Sequence, residues 1–93
     1  MRQIANHSLL FEMLRSFVML ADTLNVSRAV SELGVTRQTL RRHIEILEAT
    51  RGHPLFTVED RQYQLTPQGE EAVHEARSLL ERGRAWLEAE AGH

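Results

Sequence analysis

The sequence predicts a mainly α-helical domain in which three helices and a two-stranded β hairpin are followed by one long C-terminal helix. Three observations predict it. Apolar residues recur every three or four positions from Leu9 to Leu24 and from Leu40 to Leu47. The period then shortens to two β-like runs between Leu55 and Leu65. Helical spacing returns after Thr66-Pro67 and continues nearly to the end.

Each element has its own signals. In the first helix Leu10, Met13, Leu14, Phe17, Leu20, Ala21 and Leu24 form one stripe, with Ser8 as the expected N-cap. Asn25 breaks the run, and Ser27 is expected to cap a short second helix that turns Ala29, Val30 and Leu33 inward. Gly34 permits a tight turn. Thr36 caps a third helix from Arg37 to about Arg51, whose inward stripe is Leu40, Ile44 and Leu47, and Gly52 and Pro54 stop it. Leu55–Val58 and Gln62–Leu65 flank Glu59-Asp60-Arg61 as a hairpin, with Phe56, Val58, Tyr63 and Leu65 expected on its buried face. Thr66 supplies a capping hydroxyl, and Pro67 suits the first position of the last helix.

Two short helices joined by a glycine turn make a helix-turn-helix, and a hairpin just after it makes a wing. Residues 1–65 are thus expected to form a winged helix-turn-helix, and residues 66–93 a linker and dimerisation helix. In such a domain one face of the third helix holds the core while the other enters the major groove of DNA. With Leu40, Ile44 and Leu47 inward, Gln38, Arg41, Arg42 and Glu45 point outward. Arg37 flanks the first turn, within reach of a base edge or a phosphate.

Ninety-three residues bound the chain to one modest domain. It has no cysteine, which excludes a disulfide framework and thiolate zinc fingers. No apolar run approaches a membrane span, and the start lacks a signal peptide, so the cytoplasm is the expected location. The five histidines show no metal-ligand spacing, and no catalytic motif is present, so neither a cofactor nor an enzymatic activity is expected. The formal net charge of −2 argues against a nucleic-acid partner, but the distribution argues for one. Three arginines and no acid lie between Val35 and Ile44, whereas residues 67–93 carry six acids against three arginines.

In the last helix Val73, Ala76, Leu80, Gly83 and Leu87 alternate three and four apart, a coiled-coil-like seam of about two heptads. Trp86, beside it, is the only tryptophan and is expected to meet a partner chain. Gly83 weakens the helix but permits a partner helix to approach closely.

From Leu14 to about Glu81 the chain resembles the N-terminal domain of LysR-type transcriptional regulators. The matching residues are Leu14-Arg15-Ser16-Phe17, Ser27-Arg28-Ala29, Leu33-Gly34-Val35-Thr36, Leu40, Arg42, Ile44, Leu47-Glu48, Gly52, Pro54-Leu55-Phe56 and Leu65-Thr66-Pro67-Gln68-Gly69-Glu70. The resemblance implies double-stranded DNA as partner, assembly into dimers or tetramers through the linker helix, and a ligand-sensing domain beyond this segment. The inducer is therefore not expected to bind here, and the chain is either a piece of a longer protein or a stand-alone domain. Within this frame Arg37, Gln38 and Arg41 are expected to read base edges, and Thr36, Arg42 and Arg61 to contact the backbone. Ser27 is chiefly a capping residue whose hydroxyl also reaches phosphate. The dimer contacts are expected at Val73, Ala76, Leu80, Trp86 and Leu87.

Arg37, Gln38, Glu45, Arg51 and Val58 depart from the usual family residues, and Glu45 and Val58 weaken the attraction to phosphate. The alternative is therefore a winged-helix protein-interaction module that dimerises but binds DNA poorly.

Overall fold

The computed structural model describes residues 3 to 91, and side chains from residue 9 to residue 89. Its order is α1 (Gln3–Thr23), α2 (Val26–Leu33), α3 (Arg37–Arg51), β1 (Phe56–Glu59), β2 (Gln62–Leu65) and α4 (Pro67–Ala91). This is the expected winged helix-turn-helix with a long final helix.

α1 is the central strut, packed against α2, α3 and α4. It begins at Gln3, so Ser8 lies inside the helix and does not start it. The apolar stripe marks only the part of the helix that meets the core, and the first turns continue past that contact. Met13, Leu14, Phe17 and Leu20 of α1 join Ala29, Leu40, Ile44, Leu47, Leu55, Phe56, Ala72, Val73 and Ala76 in one core. Leu10 and Leu24, at the ends of the stripe, remain exposed.

The α1–α2 break comes where Leu24 turns to φ +53°. Asn25, in extended conformation, then caps α2 by accepting the Arg28 N–H at 3.0 Å. Ser27 is thus not the cap but lies in the first turn of α2. Gly34 ends α2 at φ +72° and Gly52 ends α3 at φ +83°, left-handed positions that favour glycine.

The hairpin pairs Phe56 with Leu65 and Val58 with Tyr63, which places these four side chains on one face, as the alternation requires. Three of the four reach the core, with Tyr63 and Leu65 partly buried against it. Phe56 is buried and meets Phe17 and Tyr63 edge-on, at centroid distances of 5.7 and 6.0 Å. Val58, opposite Tyr63, is 54% exposed, contrary to expectation, because it faces the open cleft between α3 and the hairpin rather than the core.

The entry to α4 is tightly built. Thr66 donates its N–H to the Leu55 carbonyl at 3.0 Å and its hydroxyl to the Pro54 carbonyl at 2.9 Å. The same hydroxyl accepts the Gly69 N–H at 2.9 Å, so Thr66 caps the helix with Pro67 at its first position. Gly69 is needed here for space: a Cβ would lie 2.1 Å from the Leu55 carbonyl oxygen.

Candidate nucleic-acid interface

The surface is built on α3. Thr36 starts the helix with its hydroxyl accepting the Thr39 N–H at 3.0 Å. Leu40, His43, Ile44 and Leu47 are buried on one side. Arg37, Gln38, Arg41, Arg42 and Glu45 are all exposed on the other, as the helical period requires. Among the described residues none of Arg37, Arg41, Arg42 and Arg61 forms a salt bridge, so no carboxylate neutralises these guanidinium groups within the chain.

The remaining expected residues gather around the same end. The guanidinium of Arg37 donates to the Ser27 hydroxyl, which ties the start of α3 to the first turn of α2. The Arg37 side chain is thereby drawn to the flank of the helix. Arg37 and Arg41 border one concavity with Thr23, Ser27, Arg61 and Tyr63, so α2, α3 and the wing share a single hollow. Arg61 stands at the hairpin tip with φ +64°, next to Asp60 at φ +51°. Two successive left-handed residues form the tight turn that matches the strand twist.

Two positioning features were absent from the sequence expectations. Glu48 accepts the N–H groups of Leu55 at 2.8 Å and Phe56 at 3.3 Å, which fixes the hairpin relative to α3. His43 is buried, and its Nδ1 is hydrogen-bonded to the buried Ser16 Oγ at 2.7 Å, which joins α3 to α1. Burial lowers the His43 pKa below its ordinary 6.5, against a raising influence from Glu12 and with a smaller lowering one from Arg42. A sequence signal existed for each. His43 falls three residues after Leu40 and four before Leu47, inside the apolar stripe, and Glu48 lies four residues after Ile44.

The expected dimer residues divide into two groups. Val73 and Ala76 are 6% and 2% exposed and belong to the chain's own core, so they offer no surface to a partner in this fold. Gly83 is likewise approached from within: Phe11 of α1 lies 3.2 Å from where its Cβ would stand. Beyond these contacts Leu80 is half-buried, while Trp86 and Leu87 are 64% and 63% exposed. With Phe11 they line an apolar groove between the ends of α1 and α4.

Among the described residues no three histidine or acidic side chains are grouped to hold a metal ion. No described helix is long and apolar enough to cross a membrane.

With this geometry, residues 11–70 match the family described as bacterial regulatory helix-turn-helix protein, lysR family. The chain belongs to the LysR family. It is a LysR-type winged helix-turn-helix DNA-binding domain. Among relatives, it is 38% identical over 79 residues to a probable hydrogen peroxide-inducible genes activator of Mycobacterium avium, covering 85% of this chain and 25% of that protein. The crystal structure of the CbnR DBD–DNA complex superposes with a TM-score of 0.78 at 30% identity, covering 88% of this chain and 95% of that one. The BenM DBD bound to benA site 1 DNA gives a TM-score of 0.81 at 25% identity, with 87% and 94% covered. The LysR-type chain thus spans about a quarter of the length of the curated relative, and nearly all of each isolated DNA-binding domain.

Proposed function

We propose that this chain binds double-stranded DNA as a homodimer and regulates transcription by placing α3 in the major groove. The observation that carries the reading is the division of α3 into a buried apolar side and an exposed side bearing Gln38, Arg41 and Arg42. Arg41 suits the two acceptors of a guanine edge, and Gln38 suits adenine. Thr36, Arg42 and Arg61 take phosphates. Arg37, drawn toward Ser27, joins them at the flank, where the first turns of two helices also offer free amides. Two structural relatives are DNA-binding domains solved in complex with DNA, which supports DNA as the partner.

The homodimer is formed, in this reading, by the apolar strip that the core leaves uncovered: Phe11, Leu80, Trp86 and Leu87. Val73 and Ala76, which belong to the chain's own core, take no direct part in it. Pairing sets the two recognition helices about one DNA turn apart, ~34 Å, or a multiple of it.

Selection from a random duplex library at low salt tests the reading. The expected product is a motif of two related half-sites, and Arg41→Ala should lose discrimination at one base pair, by about 1–3 kcal/mol. Enrichment of no motif, with a folded protein, would favour the interaction module, to which exposed Val58 and the net charge of −2 are better suited.

A further inference from the structure

The exposed side of α3 carries one acid, Glu45, that neither the fold nor the phosphate contacts employ. It stands four residues after Arg41, three after Arg42 and seven after Gln38, so it shares their face within about one to two helical turns. Its side chain is exposed, and among the described residues it forms no salt bridge, even with the arginines one turn earlier. It also borders the cleft between α3 and the wing together with Arg37, Arg41 and Val58.

A carboxylate brought to DNA is repelled by every phosphate nearby, and that cost is the same for all sequences. Only a hydrogen-bond donor on the DNA offsets it, because an ionised carboxylate is acceptor-only. The major groove displays two such donors, the N4 amino group of cytosine and the N6 amino group of adenine. Adenine sets the N7 acceptor beside its amino group, which opposes a second carboxylate oxygen. The cytosine amino group has an acceptor, the O6 of its paired guanine, on one side only, whereas that of adenine lies between its own N7 and the thymine O4. We propose that Glu45 is a specificity-determining residue that accepts a hydrogen bond from the N4 amino group of a cytosine in the major groove. It acts one helical turn farther along the groove than Arg41. This rests on the DNA-binding reading above, since it names a further base that the same helix reads.

The test compares the wild-type 93-residue chain with Glu45→Ala and Glu45→Gln by selection from random duplexes, followed by affinity measurement on the selected sites. Both variants change an exposed residue, and matched thermal melts verify the fold. The wild type should require cytosine at one position, with about fivefold or greater loss on replacement. Glu45→Gln should move that position to adenine, whose N6 and N7 suit an amide. Glu45→Ala should leave that position undetermined, because affinity rises at sites lacking the cytosine while the cytosine site loses its hydrogen bond. An unchanged motif in Glu45→Ala, with a uniform gain in affinity, would overturn the proposal and leave Glu45 as a repulsive charge alone. If the wild type itself enriched no motif, the DNA-binding reading would fail and this inference with it. The two failures are therefore distinguishable.

Discussion

His43 shows how one side chain couples the reading helix to the core. It is 5% exposed, bonded to Ser16, and turned inward from the helix that also presents Arg41 and Arg42. Its folded-state pKa is lowered from 6.5, chiefly by burial, so the unfolded chain takes up its proton more readily. The stability this provides is fully present above pH 6.5. It is lost as pH falls from 6.5 toward the lowered folded value. Urea unfolding at pH 7.5 and 5.5 should therefore give a lower midpoint at the acidic value. His43→Gln, which keeps a polar partner for Ser16, should reduce that difference. Equal pH dependence in the two proteins would remove His43 from the account. The place of His43 in the Leu40–Leu47 stripe was visible in the sequence, but apolar periodicity marks a face by its hydrophobes and passes over a polar residue paired within it.

At the scale of elements, terminal signals decided what could be read in advance. Thr36 and Gly52 bound α3 as expected because each has a local physical reason, a capping hydroxyl and a left-handed position. At α2 two cap-competent residues, Asn25 and Ser27, lay two positions apart, and only the backbone at Leu24 and Asn25 determined which one caps. The junction of wing and α4 gives a sharper test. Gly69 approaches the Leu55 carbonyl so closely that an added methyl must displace backbone. The same carbonyl accepts from Thr66, so any shift disturbs the cap as well. Gly69→Ala should thus lower stability by about 1–3 kcal/mol in chemical unfolding, despite alanine's better helix propensity. A stabilised variant would show that this junction is looser than described.

Over the whole molecule, the last helix serves two purposes along its length. Its first half is core: Ala72, Val73 and Ala76 close the domain against α1, and Arg77 meets Asp22 with a 2.6 Å contact. Its second half extends a molecule 50 Å long and carries Trp86 and Leu87 into solvent. Spacing of three and four looks the same whether the stripe is buried by its own chain or by another. The sequence therefore showed the helix and its apolar seam without showing where the chain's own core ends. A chain ending at Leu80 should stay folded, since Val73 and Ala76 remain, and sedimentation at matched concentrations should show a dimer for the full chain and a monomer for the shortened one. A monomeric full chain, or a dimeric shortened one, would place the interface elsewhere.

The central claim is that the exposed side of α3 reads DNA sequence. It is tested most directly by titrating a duplex bearing the selected dyad, and a scrambled duplex of equal length, across a series of salt concentrations. The selected duplex should bind roughly 10³-fold or more tightly near physiological salt. Its log K should fall linearly with log salt, by about 0.9 for each phosphate neutralised. Equal affinity for the two duplexes at every salt concentration, or no binding to either at low salt, would contradict that claim.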